Sequence, residues 1–447
     1  MSSIREVTSY LFALEEKLQL LTIRFEDSYP YSFLRTRIVT EVEKQLGLLS
    51  QPHDIPKPRT RWQRYFDYVY YDWLYLVHRG QYDLLVIEHE RQIETEEGFI
   101  DIYTHDIVQK RGEQEQIMCI RRSPKRSNQS SKGKQILLRE GFLDLFDRDW
   151  RRYKETTPSF AILDEFSQQI NDHFGIQIDV NAMLRQEWRK FIRCRLRFQR
   201  WLRKYQPKEV IVSVGYYAYE FIEACKLEHI LVSEVQHGIL DQNHSGYSYP
   251  YQQQRPDLVP YFVDRMYLFG GYWQEVCPLP LKEEQIKVIG FGYFRNNQAK
   301  YNIKRHHKQV LLISQGTIGE QLADLAIKLA LAYPDHQFVY KLHPGEFLHA
   351  KERYPHLQDA PDNLLVVKNE VPLYYWLHLS TYVIGAYSTA IYEAMALGCK
   401  IFLFATKGVE DYMSYLITHR HVLLIHTSDE FADLQERPVE PLNKTIF

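Results

Sequence analysis

Short apolar runs that stop abruptly in polar residues recur along this chain, and between them lie segments whose apolar positions repeat at helical spacing. The alternation is regular beyond residue 307. Strands are predicted at 310–314, 338–342, 364–367, 382–385, 400–404 and 422–425, with helices at 319–332, 373–379 and 388–397. Strand, helix, strand in this order gives parallel pairing with right-handed crossovers, so this half is expected to be a doubly wound sheet of Rossmann type. The first half is less regular. An amphipathic helix is predicted at 4–24, a buried strand at 83–87 and a helical pattern at 185–204. Strands follow at 210–214 and 230–235 around a helix at 219–226, and then at 266–270 and 286–290. Residues 291–307 read as a polar, basic connection, which sets the domain boundary between 295 and 296.

Length supports this division, because 447 residues exceed what one hydrophobic core organises. Apolar residues at 45% and charged residues at 25% are the balance of a folded protein. The excess is aromatic, with 33 Tyr, 23 Phe and 7 Trp. Such rings suit sugar faces and wet interfaces, although most must serve the core. A formal charge of −2 gives no general attraction to nucleic acid, so none is expected as a partner.

Positive charge is local. The segment RRSPKRSNQSSKGK at 121–134 carries six basic residues and no acidic ones, and nine Lys or Arg lie within 185–204. In the latter, Trp188, Phe191, Ile192, Phe198, Trp201 and Leu202 share one broad face, so the helix can pack on a core or lie on anionic lipid. Five cysteines without CxxC spacing offer neither a zinc site nor a disulfide framework, which fits a reducing cytoplasm. No apolar run is long enough to span a bilayer, so any membrane contact is expected to be peripheral.

Candidate chemistry gathers where predicted strands end. In the second half Ser314-Gln315-Gly316-Thr317 precedes a helix, and Ser388-Thr389 opens another with Glu393 one turn further on. Hydroxyls and free N–H groups at a helix start favour a phosphate. Lys341-Leu342-His343-Pro344-Gly345-Glu346 adds a cation, an imidazole and a carboxylate, with Pro and Gly turning the chain where the histidine emerges. In the first half the dense run is Glu234 to Tyr247. Gln236, His237, Asp241 and His244 crowd one loop after a buried strand, offering the proton-transfer groups that a sugar hydroxyl of high pKa requires. Glu88-His89-Glu90-Arg91 forms a second polar cluster at a strand end. Two histidines and one aspartate lack further metal-ligand spacing, so no metal and no cofactor are expected.

His237-Gly238 at a strand end, KLHP at 341–344 and AYSTAIYEA followed by Asp411-Tyr412 resemble the bacterial surface-polysaccharide transferases of GT-B architecture. These include the capsule and lipopolysaccharide enzymes that use CMP-sialic acid or CMP-Kdo, and the CDP-glycerol polyol-phosphate transferases. The resemblance spans roughly 88–412 and implies an α/β, GT-B-like fold of two Rossmann-type domains facing across a cleft. It assigns 1–295 to the acceptor and 296–447 to a nucleotide-sugar co-substrate.

It implies a glycosyltransferase moving a sugar, from a CMP-activated acidic donor, onto a surface glycan or glycolipid. His343, Ser388 and Thr389 would hold the nucleotide phosphate by that resemblance, and the reading of the strand-end loops adds Gly316, Thr317, Lys341, Pro344, Glu346 and Glu393 as donor-side candidates. Asp241, His237 and His244 are the catalytic candidates. Glu88, His89, Arg91 and Gln236 are the acceptor-side candidates. The polyol-phosphate enzymes have HGT with a lysine soon after, whereas this chain has HGILD, which weakens that alternative. A glycan-binding protein without catalysis is the alternative of another class.

Overall fold

The structure, a computed structural model, describes residues 3–48, 77, 79–89, 91–95, 98–121, 134–137 and 157–447. Two compact units make up the chain, dividing at Ile289 and Gly290 rather than at 295, and the second also takes residues 270–276. Chemistry explains that excursion. Trp273 Nε1 donates to the Ile446 carbonyl at 2.7 Å, and a Cβ on Gly270 would overlap the Thr445 carbonyl, so the C-terminal residues fix this segment to the second unit.

The first unit is built on β1 (Leu84–Ile87), β4 (Ile117–Arg121), β5 (Lys134–Leu137), β6 (Glu209–Val212), β7 (Leu231–Val235), β8 (Arg265–Leu268) and β9 (Ile286–Val288). A hairpin of β2 (Gln92–Thr95) and β3 (Gly98–Asp101) is inserted after β1. All sheet pairings are parallel, in the order β5-β4-β1-β6-β7-β8-β9. Strands such as LLVI in β1 and EVIV in β6 are buried throughout, as a parallel sheet covered on both faces requires.

The predicted helix at 4–24 ends earlier, at Lys17. Gln19 takes a left-handed conformation (φ 53°) and a 3₁₀ turn, Leu20–Thr22, follows. The pattern at 185–204 lies within a helix, Val180–Tyr205, capped by the Asp179 carboxylate on Ala182 N at 2.8 Å. All six of its predicted face residues are buried, so its apolar stripe belongs to the core rather than to lipid. Its basic residues do not all reach solvent: Arg195 and Arg197 are buried, and Arg195 pairs with Glu223 at 3.4 Å. Among the described residues no helix is long and apolar enough to cross a membrane. Glu90 and the basic residues 122–133 lie outside the described residues.

The second unit contains β10 (His306–Ile313), β11 (Gln337–Lys341), β12 (Leu364–Val367), β13 (Ser380–Gly385), β14 (Lys400–Phe404) and β15 (Leu423–Ile425). The order β12-β11-β10-β13-β14-β15, parallel throughout, is that of a Rossmann sheet. Helices Gly319–Ala332, Leu373–Leu379 and Thr389–Ala396 form the crossovers. The expected connection at 291–307 is partly helical, over Gly292–Lys300, where Phe294 and Asn297 are buried. Each sheet reverses its strand order once, between β1 and β6 in the first unit and between β10 and β13 in the second. Ligands of open α/β sheets collect at the carboxyl ends of strands beside such reversals.

Candidate functional site

At the β10/β13 reversal the two flanking loops are tied to each other. Gln315 Nε2 donates to the Tyr387 carbonyl at 3.0 Å, and Thr317 Oγ1 lies 3.2 Å from the Tyr387 hydroxyl. Gln315 Oε1 is buried without a partner among the described residues, an acceptor that a ligand N–H would satisfy. Ser388 caps Thr389–Ala396, its hydroxyl accepting from Ala390 N at 3.3 Å, and Thr389 stands half-buried beside it. Glu393 is half-buried one turn further along. Arg353 ties down the first loop by donating to the Gly316 carbonyl at 2.7 Å. Gly316, Thr317, Ser388 and Thr389 therefore share one end of the sheet.

The loop after β11 separates into a ligand-facing part and a structural part. His343 is exposed, and its Nδ1 accepts from Gly345 N at 3.1 Å, so a neutral ring carries its proton outward on Nε2. Pro344 starts the 3₁₀ turn that aims it. Glu346, read above from its loop as a donor contact, is a buried clamp in the structure. Its Oε2 takes His343 N at 2.7 Å, while Oε1 takes Ser314 Oγ at 3.0 Å and the Tyr354 hydroxyl. Lys341 also needs correction. Burial lowers its pKa, and its ammonium donates to the Lys368 carbonyl and to Asn369 Oδ1 at 3.1 Å, away from the reversal. The clamp demands a glycine at 319, where a Cβ would overlap the Tyr354 hydroxyl and sit 2.6 Å from Glu346 Oε1. Gly319→Ala should cost about 1–3 kcal/mol through overpacking. A lowered melting temperature of the second unit checks this.

In the first unit the loops after β1, β6 and β7 converge on His237. Its ring stacks against His89 with centroids 5.6 Å apart, and Tyr103 stands 4.9 Å from His89 and 6.2 Å from His237. Tyr247 Oη lies 3.2 Å from His237 Nδ1, and Tyr216 Oη lies 3.4 Å from Nε2. Burial, then His89 and His244, push the His237 pKa down to about 3, so the ring is neutral near pH 7. His244 packs between Tyr216 and Tyr247, at 5.0 and 4.7 Å, and burial lowers it to about 4.

Several neighbours hold the frame. Asp241 Oδ1 accepts from Asn243 N at 2.6 Å, a turn-forming bond. Gln236, read above as an acceptor contact, is fully buried. It bridges Gly238 O (2.8 Å) and Phe269 N (2.9 Å), which fixes the ends of β7 and β8. Glu88 is buried and accepts from Gln92 at 3.3 Å. Arg91 is exposed, with Nη1 3.3 Å from the Tyr103 hydroxyl.

Beside this cluster, a hollow of about 520 Å³ runs between helices Pro30–Gln45 and Val180–Tyr205, next to a smaller cavity of about 120 Å³. Thr36, Arg37, Glu187 and Tyr217 line both, and Tyr216 lines the smaller. Arg37 and Glu187 pair across the helices at 2.5 Å, and Tyr217 is 61% exposed, an open ring beside polar groups.

Sequence reasoning missed Tyr103, Tyr216, Arg353 and Tyr354. The usable signal for Tyr216 was a Gly-Tyr-Tyr triplet directly after a buried strand. Among the described residues no group of three or more His, Cys, Asp or Glu is arranged to hold a metal.

No protein-family model matches the chain, and no curated protein matches it. Among solved structures it is similar to the UDP-GlcNAc 2-epimerase of Neisseria meningitidis bound to UDP-GlcNAc (14% identity, 81% of this chain and 92% of that one, TM-score 0.45). It is also similar to the glycotransferase of kitacinnamycin (12%, 80% and 91%, 0.46). A third is Anabaena Alr3699/HepE in complex with UDP and glucose (11%, 79% and 88%, 0.39). At these identities and TM-scores the likenesses say nothing by themselves about substrate or reaction.

Proposed function

We propose that this protein is a glycosyltransferase that moves a sugar from a nucleotide-activated donor, a CMP-linked acidic sugar by its resemblance, onto a glycan acceptor. The observation that carries the reading is the β10/β13 reversal, where a hydroxyl-capped helix start and the Ser314–Thr317 loop meet around a partnerless amide oxygen. A donor phosphate takes the amides and hydroxyls of Thr317, Ser388 and Thr389, with His343 Nε2–H as a further donor. These groups stabilise the charge that builds on the departing nucleotide. His237 serves as the base for the acceptor hydroxyl. Its low pKa keeps it unprotonated, which favours accepting a proton over giving one. The hollow, with the smaller cavity beside it that reaches Tyr216, suits the acceptor glycan, the exposed Tyr217 ring serving as a stacking face.

A thermal-shift screen against CMP, CDP, UDP, GDP and dTDP tests the donor site, because a ligand of the folded state raises its stability by mass action. One nucleotide class should raise the melting temperature. Ser388→Ala with Thr389→Ala should weaken that nucleotide by about 1–3 kcal/mol in calorimetry, the range for hydrogen bonds to a charged group. No shift with any nucleotide, or unchanged affinity in the double variant, would remove this site.

A further inference from the structure

Glu234 lies in the buried strand β7 and is 1% exposed. Its Oε1 accepts from Gly215 N at 2.9 Å and from the Tyr247 hydroxyl in a short hydrogen bond. The same hydroxyl, itself buried, lies 3.2 Å from His237 Nδ1, and His237 Nε2 faces Tyr216 Oη at 3.4 Å. A phenol has one proton. Tyr247 can give it to Glu234 or to His237, not to both, so the state of Glu234 bears directly on what Nδ1 does, in competition with the Ser213 carbonyl, which also accepts from this ring.

With Glu234 ionised, Tyr247 donates to the carboxylate and offers its oxygen lone pair to His237. Nδ1 must then carry the ring proton, and Nε2 is bare. With Glu234 protonated, the acid donates to Tyr247, Tyr247 donates to Nδ1, and the ring proton belongs on Nε2. The change adds one proton to the carboxyl and relocates another, exchanged through solvent, while the imidazole stays neutral. We propose that Glu234 is a positioning residue that selects the tautomer of His237 through the Tyr247 hydroxyl, its carboxylate form keeping Nε2 bare as a proton acceptor. The consequence for activity rests on the reading of His237 as base, whereas the tautomer itself does not.

Burial raises Glu234 to about 7, where the tyrosines facing it, Tyr216, Tyr219 and Tyr247, are neutral because burial raises them too. Around His237, burial holds His244 at about 4, and Cys277, which faces Tyr247, is a thiol raised by burial. Arg35, near His244 and Tyr219, stays charged. His89 and Tyr103 face His237 from the loops after β1 and β3, and Asp101 accepts from His89 N at 3.0 Å.

Long-range ¹H–¹⁵N correlation spectra of the labelled full chain between about pH 5 and 9 report each ring nitrogen separately, His89 included. For His237 the expected result is a bare Nε2 at high pH and a protonated Nε2 at low pH, with a midpoint near that of Glu234. Glu234→Gln and Tyr247→Phe should each abolish the transition. If Glu234→Gln does not fold, Tyr247→Phe retains the buried carboxylate and its Gly215 bond and gives the same readout. Turnover should follow, with kcat falling about tenfold per pH unit below the midpoint at unchanged KM. A single tautomer throughout in the unmodified chain, or the same transition in either variant, would overturn the proposal. The spectra need no donor or acceptor, so they fail independently of the sugar-transfer reading.

Discussion

Arg35→Met is expected to destabilise the first unit by about 3–5 kcal/mol, because it breaks a buried ion pair from one side. The guanidinium is 1% exposed and lies between the rings of Phe12 and Tyr249, at 4.3 and 4.0 Å from their centroids. Its Nε donates to Glu15 Oε2 at 2.6 Å, and its two Nη groups donate to the carbonyls of Ser245 and Ser248, the latter at 3.0 Å. Three elements hang on one cation: helix Ile4–Lys17, helix Pro30–Gln45 and the loop that carries His244 and Tyr247. Among the described residues the variant leaves Glu15 the Tyr31 hydroxyl at 2.8 Å and takes the Arg35 donors from two carbonyls. Adding Glu15→Leu removes the stranded charge and should restore part of the stability, though not the loop contacts. Urea denaturation of the parent and the two variants checks both statements. A single variant within about 0.5 kcal/mol of the parent, the scale of an ordinary surface change, would refute the role given to Arg35.

His237→Ala should lower turnover by about 100-fold or more while leaving nucleotide affinity nearly intact, the pattern of a lost proton-transfer group. The split is expected because the loops proposed for the donor belong to the other unit. Asp241→Asn is the informative control. Asn can still accept from Asn243 N, so the turn survives and only the charge is lost. If Asp241 acts only through the turn, turnover stays within a few-fold of the parent. If it is the base, Asp241→Asn rather than His237→Ala gives the large loss.

The second sheet was legible because each of its strands carries a short apolar run, such as VLLI in β10 and IFLF in β14, and the helical patterns between them are regular. The first unit was less so. Its strand β4 carries a buried apolar run, Ile117 to Ile120, that the sequence reading passed over, the β2–β3 hairpin has little in sequence to set it apart from connecting segments, and the stop after Lys17 depends on a left-handed glutamine that no glycine or proline announces. At the sites, strand-end polarity pointed to the right loops but could not say which way a side chain turns. His343 and Lys341 lie two residues apart, yet one is exposed and the other is buried against the loop after β12. Glu346 and Gln236 looked like ligand contacts and are clamps, because a loop that must hold a shape spends its nearest polar groups on its own amides. The partners of His237 come from residues 89, 103, 216 and 247, a proximity that only the β1-β6-β7 strand order creates.

The sugar-transfer claim is tested most directly by the nucleotide that the whole chain releases from CMP-, CDP-, UDP-, GDP- and dTDP-linked sugars, supplied with a mixed glycan acceptor fraction. Release from one nucleotide class is predicted, with the sugar recovered on the acceptor. His237→Ala should abolish that release, although it still binds the same nucleotide. No release from any donor by a chain that binds none of the five nucleotides would contradict it.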